Sequence, residues 1–229
     1  MKKRKWDYLL SLTLPDEKSP TGEAYRALRT NILRATQDKD KSIKAILITS
    51  ANHYEGKTAT AINLALAMSD IPQFRTLLID TDLRYPTIHN RLLLKQSPGL
   101  TEILGGSVGL DSGTTDTGKE NLKVITSGYS PPNPTELLES EKLKDLIKVL
   151  KSKFDLILFD SPPLIPYSDA SVLGSRIEGV LLVVQSGKTS REDVQQVQAI
   201  LQDNHAKILG VVLNKQEHFI PERIYKRHL

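Results

Sequence analysis

The chain has no cysteine among its 229 residues. Disulfides and thiolate metal sites are therefore excluded, and a reducing cytoplasm is the natural setting. Long apolar runs are also missing. None approaches the roughly 18 residues that a membrane-spanning helix needs, and the amino terminus lacks the apolar core of a signal peptide. Charge is nearly balanced: a net +4 suits an anionic or acidic partner surface better than dedicated nucleic-acid binding. At 39% hydrophobic and 25% charged the composition is that of an ordinary globular protein, and the length supports one large domain with a full core.

One stretch organises what is present. The apolar run Ala45-Ile46-Leu47-Ile48 reads as a buried parallel strand. It passes through Thr49-Ser50-Ala51-Asn52-His53-Tyr54-Glu55 to Gly56-Lys57-Thr58, and an Ala-rich helix is expected from Ala59 to Met68. Strand, loop, Gly-Lys-Thr and helix form the P-loop arrangement. Backbone N–H groups cradle phosphates, Lys57 reaches the β- and γ-phosphates, and the Thr58 hydroxyl ligates Mg²⁺. The usual first glycine is replaced by Ala51, and His53 and Tyr54 stand where many such loops carry Pro and Gly. Bulky residues in so tight a loop are expected at negative φ.

Other strands end in acidic residues. Arg75 to Asp80 reads as a buried strand followed by Thr81-Asp82-Leu83-Arg84, so that Asp80 and Asp82 project the same way. Phe154 to Asp160 is a third such strand, and Asp160 looks like a Walker B carboxylate. In open α/β sheets ligands bind at the carboxyl ends of strands, and Mg²⁺ is held by one or two carboxylates plus phosphates. Gly179–Val184 and Ile208–Leu213 read as two further buried strands. Between them a helix is predicted over Ser190 to Asp203, with Ser190 as N-cap and Asp193 at N3. A helix starting at Thr21 or Gly22 carries Glu23, Arg26 and Arg29 along one face, either as a solvated stripe with a local ion pair or as an interface. Thr135 is a candidate N-cap after Pro131-Pro132-Asn133-Pro134, or the turn leads directly to a helix over about 141–151. Gly105 to Gly118 reads as a mobile surface loop. Asn214-Lys215-Gln216-Glu217 is similar to the Asn-Lys-x-Asp guanine reader of GTPases. Glu replaces Asp there, which discounts guanine and leaves Asn214 to contact a nucleobase or cap a turn. Alternation of strands and helices gives an α/β fold: a doubly wound, mostly parallel sheet in three layers, one domain over 1–229. A flexible segment over about 1–20 and a short tail over about 216–229 flank it. The basic residues of Met1-Lys2-Lys3-Arg4-Lys5-Trp6 are a frayed terminus or a weak attractor of anionic lipid.

Taken in order, these pieces resemble the bacterial tyrosine kinases of capsule and exopolysaccharide export, in their free-standing form. The resemblance runs from about Ser19 to Lys215. It rests on Glu23-Ala24-Tyr25-Arg26-Ala27-Leu28-Arg29-Thr30-Asn31, Glu55-Gly56-Lys57-Thr58, Leu77-Leu78-Ile79-Asp80-Thr81-Asp82-Leu83-Arg84, Pro131-Pro132-Asn133-Pro134-Thr135-Glu136-Leu137-Leu138, and Phe159-Asp160-Ser161-Pro162-Pro163 with Ser168-Asp169-Ala170. It implies a ParA/MinD-like P-loop NTPase fold used for protein tyrosine phosphorylation. ATP would contact Glu55, Gly56, Lys57, Thr58, Thr60 and Asn214. Mg²⁺ would be held by Thr58, Asp82 and Asp160, and Asp80 would be the candidate base, so that Lys57, Asp80 and Asp82 form the catalytic set.

The resemblance further implies a ring-like homo-oligomer through Glu23, Arg26 and Arg29, a membrane-protein activator of the polysaccharide co-polymerase type, and a place at the inner face of the cell membrane. The family's tail tyrosine cluster is reduced here to Tyr225 as candidate phosphoacceptor. Two other readings compete: a ParA- or MinD-like ATPase switch, and a nucleotide-binding scaffold without kinase activity. ATPase switches commonly carry an additional Lys early in the P-loop. None occurs between Ser50 and Glu55, which favours the kinase.

Overall fold

The computed structural model describes residues 19–36 and 43–216. The basic amino-terminal residues, most of the charged linker before the P-loop strand, and the tail with Tyr225 lie outside them. Among the described residues seven strands form one sheet in the order β3-β4-β2-β5-β1-β6-β7. The strands are β1 (Ala45–Ser50), β2 (Thr76–Asp80), β3 (Thr115–Asp116), β4 (Leu122–Ile125), β5 (Leu156–Asp160), β6 (Gly179–Gln185) and β7 (Ile208–Asn214). All neighbours run parallel except β3, which pairs antiparallel with β4 at the edge. The chain leaves β1 toward β2 on one side, whereas β5 leads to β6 on the other. The crevice between the carboxyl ends of β1 and β5 is thus the switch point at which such sheets bind ligands.

Every residue of β1, β2 and β5 is buried, and side chains alternate between the two layers. Ala45, Leu47, Leu77, Ile79, Ile157 and Phe159 face one core. Ile46, Ile48, Leu78, Leu156 and Leu158 face the other. Full burial of one such aliphatic side chain contributes about 1.5–3 kcal/mol, so the central strands are the most strongly held part of the fold. The second core is covered by α1 (Pro20–Thr36), α2 (Lys57–Ser69) and α3 (Ile88–Arg91). The first is covered by α4 (Leu100–Gly105), α6 (Pro134–Glu139), α7 (Glu141–Lys153), α8 (Asp169–Gly174) and α9 (Arg191–Asp203).

Local chemistry fixes the helix starts. Ser19 accepts from the Gly22 N–H at 3.1 Å, so α1 begins at Pro20, ahead of the Thr21 or Gly22 expected from sequence. Ser190 and Asp193 form the expected capping box of α9. Three expectations fail. The segment read as a mobile loop from Gly105 to Gly118 contains α5 (Leu110–Gly113) and β3, with Gly113 packed so closely under Ile103 that an added Cβ would lie 2.5 Å from it. Thr135 does not cap α6: Asn133 holds that position, and Ser140 caps α7 instead. Nor is β7 a buried strand. It lies at the sheet edge with Val211 and Leu213 exposed.

Candidate functional site

The P-loop joins β1 to α2, and its shape is enforced by groups brought in from distant segments. Gly56 has φ +100°, a left-handed conformation that glycine adopts without a Cβ penalty. A Cβ there would lie 1.9 Å from Asn214 Nδ2, because Asn214 donates to the Glu55 carbonyl at 2.9 Å. Asn214 thus straps the loop through its side-chain amide. Lys215 Nζ donates to the Tyr54 carbonyl, and Asn52 donates to Asp193 at 3.0 Å. Glu55 turns its carboxylate inward, accepting from the Asn52 N–H at 3.1 Å and from the Thr189 hydroxyl. Glu55 can therefore serve phosphate only through its backbone. Tyr54 departs from expectation: it stands at φ +64°, not at negative φ, and is 82% exposed.

Three carboxylates lie below the loop. Asp80 and Asp160 are register neighbours at the ends of β2 and β5. By strand alternation both face the layer that holds α2. Asp80 is fully buried and accepts from the Asp82 and Ile88 N–H groups at 3.2 and 3.1 Å. Burial, then the neighbouring Asp160, raises its proton affinity well above the usual carboxylate range. Asp82 accepts from the Tyr85 N–H at 3.0 Å and lies 3.8 Å from Lys57 Nζ. Asp160 is pushed up to about 7 by burial, against the opposing pull of Lys57 and the Thr58 hydroxyl. Among the described residues neither Asp160 oxygen has a hydrogen bond of ordinary geometry. Two buried carboxylate oxygens without a partner are costly, and a divalent cation would satisfy them.

Among the described residues no three or more Asp, Glu, His or Cys cluster as a self-contained metal cage. A nucleotide site needs none, because Mg²⁺ there takes one or two carboxylates and fills its shell with phosphate and water. Thr60 is buried one turn into α2, and among the described residues its hydroxyl has no partner. A cavity of about 380 Å³ lies at the opposite end of the strands, lined by Arg75, Lys123 and Lys153 among others, and plays no part in this arrangement.

Glu23 and Arg26 form the local ion pair expected of their spacing, and Glu23 is exposed. Arg29 is engaged within the chain, donating to the Ala67 carbonyl at 3.0 Å. Two groupings went unpredicted. Arg84 grips the buried Asp169 at 2.6 and 3.2 Å, and Thr135 bonds both. This ties the loop after β2 to α6 and α8. His53 gathers Tyr54, Tyr85 and Tyr167 around its ring. The segments holding Arg84, Thr135 and Asp169 were visible as motif pieces, but nothing in the order of residues pairs groups 51 and 85 positions apart.

Known proteins give the family to which this chain belongs. A family model described as an AAA domain matches residues 43–216. The tyrosine-protein kinase YwqD of Bacillus subtilis is 37% identical over 203 residues, covering 89% of this chain and 84% of the relative. The chain belongs to the bacterial tyrosine-kinase family. The solved kinase domain of the Escherichia coli tyrosine kinase ETK superposes on it with a TM-score of 0.84 at 31% identity, covering 92% of this chain and 82% of that one. The fold of this kinase family is also that of the ATPase MinD. The Pyrococcus horikoshii protein, solved with Mg-ADP, matches with a TM-score of 0.64 at 26% identity, covering 80% of this chain and 76% of that one. The chain is thus a P-loop NTPase fold of the ParA/MinD type, in the kinase branch. Among the described residues no helix is long and apolar enough to cross a membrane.

Proposed function

We propose that the chain is an ATP-dependent protein tyrosine kinase that phosphorylates itself in trans and other proteins, and so regulates capsular or exopolysaccharide synthesis and export. The observation that carries this reading is the convergence of Lys57, Thr58, Asp82 and the buried Asp160, whose oxygens lack a hydrogen bond of ordinary geometry among the described residues, beneath one loop in a chain of this family. Phosphoryl transfer asks little covalent chemistry of a protein. It asks for positioning and for neutralisation of phosphate charge.

In this reading the loop N–H groups, Glu55 to Thr58 with Thr60 behind them, hold the phosphates, and Lys57 exchanges Asp82 for phosphate oxygens. Thr58, Asp82 and Asp160 hold Mg²⁺, which when bound neutralises charge on the phosphates. Asp80, ionised, would take the proton of the acceptor hydroxyl. The phenol oxygen forms the new bond to the γ-phosphorus, the bond to the bridging oxygen breaks, and ADP leaves. Asn214 contributes by holding the loop, with the base of the nucleotide near it.

Glu23, Arg26 and Arg29 on α1 would contact a neighbouring subunit in a ring-like homo-oligomer, and Tyr225 would be the acceptor offered between subunits. A membrane-protein activator of the polysaccharide co-polymerase type would hold the chain at the inner face of the membrane. The structural likeness to MinD supports one competitor, an ATPase switch. The two separate in one assay: the full chain with Mg-ATP and the activator's cytoplasmic segment, phosphotyrosine sites mapped by mass spectrometry, with Lys57→Met and Tyr225→Phe beside it. The kinase gives phosphotyrosine that is lost in Lys57→Met and reduced in Tyr225→Phe. A switch gives phosphate release and no phosphotyrosine.

A further inference from the structure

The aromatic cluster at the loop has no part in holding phosphate, which needs N–H groups, an ammonium and a hydroxyl. The His53 ring centroid lies 6.0 Å from that of Tyr54, 5.9 Å from Tyr85 and 5.7 Å from Tyr167. The last two contacts are edge-on, at 81° and 87°, the geometry that ring quadrupoles favour. The inner side is anchored. Tyr167 lies 4.7 Å from the Arg84 guanidinium, which Asp169 fixes in turn. The Tyr85 backbone bonds Asp82, the carboxylate beside Lys57. The outer side is open: Tyr54 is 82% exposed and Tyr85 60%.

Tyr54 also holds a left-handed backbone, a conformation that glycine would take at lower cost. An exposed ring kept at a strained position on a phosphate loop needs a use. The co-substrate of the reaction proposed above is itself a phenol.

We propose that His53, Tyr54 and Tyr85 form a rim that binds the ring of the acceptor tyrosine, presented on an incoming polypeptide, and thereby selects tyrosine over serine and threonine. The proposal rests on the kinase reading for the identity of the occupant. The rim adjoins the Lys57–Asp82 pair through the bond from the Tyr85 N–H to Asp82, so a ring seated on it lies at the edge of the phosphate site. Edge-to-face contact with His53 and its neighbours gives an incoming ring what an aliphatic hydroxyl residue lacks.

The test uses the full chain, with Tyr54→Gly, Tyr85→Ala and the double variant, and a neutral peptide bearing one tyrosine. The double variant is expected to raise the peptide KM roughly tenfold, the scale of losing one or two ring contacts, with kcat and ATP affinity within about twofold of wild type. Tyr85→Phe, which keeps the ring, is expected to keep the KM. A second arm uses a Lys57→Met copy as protein acceptor. A parallel fall in its labelling identifies another copy of the chain as an occupant, and a fall with the peptide alone identifies other proteins, either result supporting the rim. An unchanged KM in the double variant overturns the proposal, as does phosphate found on Tyr54 or Tyr85 themselves with peptide kinetics intact. If wild type makes no phosphotyrosine the kinase reading fails, and the rim is then judged by calorimetric binding of the same peptide with phenylalanine in place of tyrosine. Binding weakened in the double variant supports the rim, and equal binding overturns it.

Discussion

Asp80 and Asp160 are register partners on paired parallel strands, so two carboxylates stand side by side and fully buried under the phosphate loop. This is an expensive place for two acids, and the expense is the basis of the first prediction.

Both groups hold protons more tightly folded than unfolded: Asp80 well above the usual range, Asp160 at about 7. An unfolded aspartate titrates near about 4. The folded state therefore binds more protons between those values. The stability of the nucleotide-free chain is full below the unfolded value and falls as pH rises toward about 7. Asp160→Asn removes one ionisation. By scanning calorimetry without nucleotide, the variant is expected to melt several degrees above wild type at pH 8, with the gap closing as pH falls to about 4. Parallel pH profiles for the two would contradict this.

Gly56 and Asn214 are coupled through one contact. Gly56→Ala sets a Cβ against the Asn214 amide and strains φ, and is expected to abolish measurable ATP binding. Asn214→Ala loses one hydrogen bond to the loop, about 1 kcal/mol, and weakens binding several-fold. Removing the Asn214 amide also removes the clash, so the double variant should bind better than the product of the single losses. Equilibrium binding of a fluorescent ATP analogue reads the cycle, and strict additivity would show that the amide is not the obstruction.

Arg84 neutralises Asp169, which is 1% exposed. Arg84→Ala leaves that acid buried without its cation and with the Thr135 hydroxyl still bonded to it, at a cost of about 3 kcal/mol in urea unfolding. Arg84→Ala with Asp169→Ala should recover much of the loss. A loss below about 1 kcal/mol for the single variant would show that solvent already screens the pair.

Tyr54→Gly relieves a left-handed backbone at an exposed ring. It is expected to leave stability unchanged or raise it by about 1 kcal/mol, measured by the same unfolding curves. A clear fall would mean that packing on His53 outweighs the strain.

The sequence carried the fold through apolar runs that end in acids or in Gly-Lys-Thr, because strands buried on both faces leave an uninterrupted signal. The Ser190–Asp193 box was legible for a similar reason: both partners lie within one turn. What could not be read depends on tertiary partners. β3 is two residues long and exists only because Thr115 and Asp116 meet Val124 and Lys123. Thr135 is drawn from capping to Asp169 by a fold that places them together. At β7 the apolar run is real but nothing described covers Val211 and Leu213. In the site, spacing put Asp80 and Asp160 at strand ends and Lys57 at a helix start, and the elements fall there. The strap from Asn214, the inward turn of Glu55 and the His53 ring cluster were not legible, since each joins loops that the chain order separates.

The most direct test of the account follows the γ-phosphate. With γ-labelled ATP and Mg²⁺, the full chain and its activator segment should place label on tyrosine, dependent on Mg²⁺ and absent in Lys57→Met. Label released entirely as free phosphate, at a rate that Lys57→Met abolishes, would contradict the kinase account and leave an ATPase switch.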